Sequence, residues 1–369
     1  MSTQNITKFY IMHKNIVAAY VEVEDKNKVL KFEILNSDHL PPYLQKKFCA
    51  KNEVLLWLDS RVVMPEREMY DRLKIMILDS GFTRFDWAIA NMALSLSDCF
   101  WIKPIMEIGD KNFEDVNVDN INFDNINYYT NYFSNELVDI FIDSTIDLSD
   151  KYKHIVCPSS TVSAMLPKTW LLKNGKRLLY KGGKQEVYNE IFASRFCDYM
   201  DFEHIKYTLD TLCGIKCCVC ETMSNINTEF ISAYDFLESM KSDNNPIKQF
   251  LNFVNKESFS DMCLLDYIIA NSDRHFNNFG ILRDADTLLN IRMAPIFDNG
   301  TSLWCNTDVI GSEISFKLKN PGNYIIKEKY NKHKIIEAID YALDFDYKKY
   351  TPMLKEASEF CKMRVENII

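Results

Sequence analysis

The sequence predicts an α+β fold, and three observations carry that prediction. Residues 9–35 alternate apolar and polar in two bursts, "KFYIMHKNIVAAYVEVED" and "NKVLKFEIL", as half-buried strands do. The stretch "KTWLLKNGKRLLYKGG" holds two strand-like runs, Thr169–Lys173 and Lys176–Lys181, joined by Asn174-Gly175. From about residue 232 the chain turns mainly helical. The order is hairpin, helix, strand, then a helical half, without the regular βαβ alternation of a doubly wound sheet.

Each element has its own signal. The two alternating bursts form a hairpin or small sheet. "PEREMYDRLKIMIL" opens on Pro65 and acidic residues, as a first helical turn does, and "GFTRFDWAIANMALSLSD" offers a second helix. Residues 1–110 therefore make an N-terminal accessory α+β region, which carries no chemical signature. Asp and Asn crowd "DKNFEDVNVDNINFDNINYYTNYFSN", so 111–150 reads as a solvated connector. Beyond it, Asn-Gly is the strongest two-residue hairpin signal, because both residues tolerate positive φ. "QEVYNEIFASRFCDYM" has helical spacing and "IKCCVCETM" is strand-like. Residues 151–222 form a β-rich unit and 223–369 a mainly helical one.

Composition bounds the function. At 369 residues the chain exceeds one compact core, and 47% hydrophobic residues suffice to fold it. A net charge of −9 argues against direct nucleic-acid binding, which needs a concentrated basic surface. Eleven cysteines is an odd number, and the start "MSTQNITKFYIMHKN" lacks an apolar signal core, so a reducing cytoplasm is expected. No apolar run approaches the ~20 residues of a membrane span.

One stretch, "YIIANSDRHFNNFGILR", packs polar groups between two apolar runs. "FGILRDADTLLNIRMAPIFDNG" then reads as a strand, a turn at Asp284–Thr287 and a second strand ending at Asp298. A hairpin has its ends side by side, so Asn278 and Asp298 come together. Both offer hard oxygen ligands suited to Mg²⁺ with phosphate oxygens. Asp273 sits just before them, placed to accept a proton from an incoming hydroxyl, as phosphoryl transfer requires. Lys181 ends the earlier hairpin, and the following helix carries Glu186 and Glu190 on one face. Glu190, and after it Glu186, is the candidate partner holding Lys181 against phosphates.

"NSDRHFNNFG" followed by "IFDNG" resembles the HipA-like serine/threonine kinases, a branch of the protein-kinase-like fold. "MLPKTWLL" and "VYNEIFASRF" are similar to that family's phosphate-loop exit and first N-lobe helix. The resemblance runs over roughly 155–345 and continues more weakly upstream in "FDWAIANMALSLSDCFWIKP" and "FSNELVDIF". It implies a two-lobed fold, with a small β-rich N-lobe at 151–222 and a helical C-lobe at 223–369. It implies ATP and Mg²⁺ as cofactors, Asp273 as catalytic base, Asn278 and Asp298 on metal, and Lys181 on phosphates anchored by Glu190. "CETM" would be the hinge, its backbone at Glu221 and Met223 meeting adenine, and His275 would brace the catalytic loop.

One departure concerns the phosphate loop. No G-x-G-x-x-G precedes the hairpin; the matching segment "SSTVSAMLPK" has no glycine. In the family this loop is mobile and can carry a phosphorylated Ser that ejects it from the site, and Ser160, Thr161 and Ser163 are the candidates here. The family includes toxins that phosphorylate an aminoacyl-tRNA synthetase and are restrained by a small DNA-binding partner. The resemblance thus implies a protein substrate, translation-related in those toxins, and an antitoxin-like regulator. A small-molecule or lipid kinase of the same fold, and an inactive binding module, are the alternatives.

Other polar groups read as structural. Cys213, Cys217, Cys218 and Cys220 lack the paired spacing of zinc sites, and the alternation of Cys218 and Cys220 marks a buried strand. His13, His39, His154, His204 and His333 are isolated along the chain. Lys317, Lys319, Lys327 and Lys329 form a lysine-bearing tract, read as a solvated face, with reception of substrate in the helical half as the alternative.

Overall fold

The computed structural model describes residues 5–45, 51–63, 65, 70, 83–105, 142–143, 167–239, 245–303, 320–345 and 351–368. It is a mixed α+β chain built on three antiparallel sheets. Most of the helix expected from Pro65, nearly all of the 111–150 connector, and Ser160, Thr161, Ser163, His154, Lys317 and Lys319 lie outside the described residues.

The first sheet contains β1 (Ile6–His13), β2 (Ile16–Glu24), β3 (Lys28–Ile34) and β4 (Phe100–Ile105), in the order β3-β2-β1-β4. Its alternation points Phe9, Ile11, Val21 and Val23 into a core shared with Trp57 of α1 (Glu53–Asp59) and Trp87 of α2 (Arg84–Ala90). A capping box between Thr83 and Asp86 starts α2. The helix stops at Ala90, earlier than the sequence pattern suggested. Met92 and Ala93 take positive φ (51° and 47°), the Ala93 amide bonds back to Ala88 O, and Met92 O accepts from Ile102. Pairing with β4 thus replaces the last helical turns.

The second sheet holds β5 (Lys168–Lys173), β6 (Lys176–Gly182), β7 (Thr208–Leu212) and β8 (Ile215–Glu221), in the order β5-β6-β8-β7. Asn174 and Gly175 have φ of 53° and 73°, the left-handed pair that a tight hairpin needs. A second such pair, Cys213 and Gly214, joins β7 to β8. The sequence reading did not contain β7, whose mostly exposed "TLDTL" carries little apolar pattern. Helix α3 (Gln185–Met200) follows β6 and is buried along most of its length. Cys217, Cys218 and Cys220 are buried free thiols on β8, and burial pushes all three up, Cys217 and Cys220 to about 11.

The third sheet orders β9 (Thr228–Ser232), β10 (Gly280–Asp284) and β11 (Asn290–Met293) as β11-β10-β9. Strand β9 is a further addition to the sequence reading. Asp284 Oδ1 accepts from the Asp286 and Thr287 amides and closes the expected turn. The second strand ends at Met293, however, not at Asp298. The Ala294 amide still donates to Gly280 O of β10, and the chain then turns away: Ile296 forms a parallel bridge with His204, and Asp298 takes φ 59°. Helices α4 (Ala233–Glu238), α5 (Pro246–Phe250), α6 (Lys256–Ile268), α7 (Lys332–Leu343) and α8 (Thr351–Ile368) complete the described helical part. Phe236, Phe250, Phe259, Phe276 and Phe279 meet edge-on at its centre, Phe259 through Phe279.

Gly280 permits the closest backbone approach in this sheet. A Cβ there would lie 2.0 Å from Ile231 O and 2.9 Å from Ser232 Cα, both backbone atoms that cannot yield cheaply. Gly280→Ala is therefore expected to destabilise by at least the ~1–3 kcal/mol typical of overpacking. Urea unfolding of the variant checks this.

The histidines isolated in sequence are not all isolated in space. His13 and His39 place their Nδ1 atoms 2.9 Å apart, and His13 Nε2 lies 3.2 Å from Glu229 Oε2 on β9, with His13 and Glu229 both fully buried. Contacts across 26 and 216 positions leave no trace in local spacing.

Candidate active site

Three segments converge between the second and third sheets. Lys181 is the penultimate residue of β6, and Glu190 lies in the second turn of α3. Lys181 Nζ is 2.6 Å from Glu190 Oε1 and 2.7 Å from Asp298 Oδ1. Of the two candidate glutamates, geometry selects Glu190; Glu186 instead accepts from the Lys184 amide at the start of α3. Glu190 Oε2 accepts from the Asn299 amide at 2.9 Å, so one carboxylate fixes both the lysine and the backbone beside Asp298.

Lys181 and Asp298 hold each other ionised. Burial alone would lower the Lys181 ammonium, but Asp298 and Glu190 outweigh it and raise it well above its ordinary value. Burial would push the Asp298 carboxyl up, yet Lys181, Lys168 and Arg274 hold it below the usual carboxylate range. The register of β5 and β6 sets Lys168 directly opposite Lys181, so both project from one face.

The loop 271–278 follows α6. Arg274, buried, is its strut. Nε and Nη2 grip both oxygens of Asp266 at 2.9 Å, Nη1 donates to Asn278 O (2.7 Å) and Phe297 O (2.6 Å), and Nη2 also donates to Asn299 Oδ1 (2.7 Å). One guanidinium therefore ties the loop to α6 and to the segment bearing Asp298. Asn271 accepts from the Asp273 amide and donates to Asp266, which sets the turn. Asn278 Nδ2 donates to Asp273 O at 3.0 Å, leaving its Oδ1 outside that bond.

Asp273, Asn278, Lys181, Glu190 and Asp298 thus belong to one hydrogen-bonded frame. The Asp273 carboxylate stays partly open to solvent at 38%. His275 accepts from the Asn277 amide through Nδ1, and its Nε2 lies 4.0 Å from Asp273 Oδ2. Glu221, at the end of β8, is exposed and paired with Lys176, while Met223 is half-buried beyond it. Ser160, Thr161 and Ser163 are not among the described residues.

Sequence reasoning missed Lys168, Arg274, Asp266, Asn299 and Asn189, whose amide donates to Gly300 O and Ser302 O. Two carried a signal. Asp266 is a carboxylate inside the apolar run "CLLDYII", and Lys168 is the cross-strand partner of a lysine already chosen.

The donor set fits a hard divalent cation. Asp298 offers a carboxylate and Asn278 a neutral amide oxygen, the hard donors such a cation takes, while both Glu190 oxygens are used by Lys181 and the Asn299 amide. Among the described residues there is no group of three or more His, Cys, Asp and Glu placed to hold a metal ion by themselves. No helix among them is long and apolar enough to cross a membrane.

The fold is similar to that of HipA. The chain matches Shewanella oneidensis MR-1 HipA, solved with HipB and its operator DNA, at TM-score 0.56 and 12% identity, over 97% of both chains. The Helicobacter pylori proinflammatory kinase CtkA is also similar, at TM-score 0.40 and 18% identity, over 54% of this chain and 94% of that one. No family model matches, and no curated protein matches.

Proposed function

We propose that this chain is a two-lobed, ATP- and Mg²⁺-dependent phosphotransferase acting on serine or threonine hydroxyls of a protein. The observation that carries the reading is the Lys181–Glu190–Asp298 triad joined through Asn299 and Arg274 to the Asp273 loop. Its wiring matches what phosphoryl transfer demands: charge at the phosphates, oxygens for a metal, and a carboxylate open to the acceptor.

In this reading the second sheet with α3 is the N-lobe, and the remainder from Met223 is the C-lobe. Lys181, kept charged by its carboxylates, holds the nucleotide phosphates, and Lys168 adds a second positive charge on the same face. Asn278 and Asp298 hold Mg²⁺, which neutralises developing charge on the transferred phosphoryl group. Asp273 orients the acceptor hydroxyl and takes its proton, while His275 keeps the loop in place. Backbone groups at Glu221 and Met223 meet adenine. Ser160, Thr161 or Ser163 is the proposed site of self-phosphorylation. HipA was solved with HipB, so a small antitoxin-like protein is the proposed regulator; a translation-related protein as target rests on the sequence resemblance alone.

The test is magnesium-dependent ATP consumption by wild type, Lys181→Met and Asp298→Asn. Turnover by wild type with Mg²⁺, lost on chelation and in both variants, is expected. Lys181→Met leaves Glu190 and Asp298 facing each other without their shared cation. Absence of turnover in wild type would instead favour an inactive binding module, the reading suggested by the glycine-free loop. Phosphate incorporation into lysate proteins, set against a panel of lipids and metabolites, separates protein kinase from small-molecule kinase.

A further inference from the structure

The unit formed by β1–β4, α1 and α2 grips the rest of the chain on both sides of the segment Glu221–Ser224. Its buried Leu96 offers one carbonyl oxygen to two donors. Arg177 Nη1, from β6, reaches it at 2.8 Å, and Ser224 Oγ, just past Met223, reaches it at 3.2 Å. Arg177 and Ser224 are themselves buried. The Arg177 carbonyl in turn accepts from the Thr222 amide at 3.0 Å, and the Ser224 amide donates to Thr222 Oγ1 at 3.2 Å. Residues 222–224 are therefore stitched to β6 on one side and to Leu96 on the other.

The Leu96 loop is held from behind. Arg61 donates to Ala93 O (2.8 Å) and Phe100 O (2.7 Å) and clasps both oxygens of Asp98. Past the segment, the same unit is anchored to the third sheet. His13 meets Glu229, which also accepts from Arg283 Nε of β10 at 2.6 Å, and Lys14 pairs with Asp286. The unit thus has contacts before, at and beyond residues 221–224.

We propose that the accessory region is a brace across the nucleotide hinge, with Arg177 and Ser224 as the positioning residues that bind the hinge to it through Leu96 O. The inference rests on the phosphotransferase reading for its functional consequence, not for its geometry. A carbonyl oxygen has two acceptor sites, and here each is used by a donor from a different side of Met223. Turning β6 against the helical part stretches one bond or the other. The brace holds the adenine-facing backbone in its binding geometry before nucleotide arrives, which lowers the cost of ordering it.

The test uses the full chain with Arg177→Met, Arg177→Lys and Ser224→Ala. Loss of the charged donor is expected to raise KM for ATP about tenfold in Arg177→Met, with kcat at saturating ATP within about twofold of wild type. Arg177→Lys keeps a donor and is expected to restore most of the affinity. Ser224→Ala, a milder change, is expected to shift KM about threefold in the same direction. Hydrogen exchange supplies a readout that needs no nucleotide. Amides at 222–225 are expected to exchange faster in Arg177→Met and Ser224→Ala, while β1 and β2 stay protected. Unchanged hinge exchange, or equal losses in kcat and kcat/KM without rescue by lysine, would overturn the brace. Failure of wild type to bind ATP would overturn the phosphotransferase reading, and hinge exchange would still decide the brace.

Discussion

Asp273→Asn is expected to lower kcat for phosphate transfer by about 10²–10⁴-fold, the range spanned by a positioned general base. Nucleotide affinity should stay within a few-fold of wild type. The separation follows from how the site is built. The Asp273 backbone, through its amide on Asn271 and its carbonyl on Asn278, carries the loop's structural bonds. Its carboxylate is partly solvent-facing. Asparagine keeps the shape and removes the proton acceptor. Single-turnover transfer paired with equilibrium binding of a fluorescent ATP analogue checks both halves. Weakened nucleotide binding to the same degree as kcat would move Asp273 from the acceptor to the nucleotide side.

Arg274→Met is expected to cost about 3–5 kcal/mol of folding stability, the penalty for leaving one member of a buried ion pair behind. Arg274 and Asp266 are 2% and 1% exposed, so the orphaned carboxylate has no water to turn to. The same change releases Asn278 O, Phe297 O and Asn299 Oδ1. Activity should vanish even where the protein remains folded, because Asn278 and the Asp298 segment lose their common tie. Arg274→Lys supplies one point charge where five N–H donors in a fork are used, so it should rescue poorly. Urea unfolding reads the first effect, and ATP turnover at a temperature where the variant is folded reads the second.

The α+β class was legible because its signals are local. Asn174-Gly175 demanded two positive φ angles and received them, and "QEVYNEIFASRFCDYM" is helical end to end. The pairing of Lys181 with Glu190 was legible because a helix that follows directly on a strand end converts sequence spacing into proximity; the contact of Lys181 with Asp298 lay outside the sequence reading. What escaped was set by distant partners. Strand β7 is defined by pairing with β8 rather than by its own mostly exposed residues. The early end of α2 reflects the bond from Ile102 to Met92 O. Strand β11 ended five residues short of Asp298 because Ile296 pairs with His204 from another part of the chain. Arg274 stood in the motif, but its five donors serve partners 4 to 25 residues away, which no window on the sequence displays.

Phosphate transfer to a hydroxyl by the Asp273 loop is the central claim, and phosphoproteomics of cells producing wild type or Asp273→Asn at equal abundance tests it most directly. The account predicts serine or threonine phosphosites present with wild type and absent with the variant, on this chain and on at least one other protein. The same phosphosites at the same occupancy in both would contradict it.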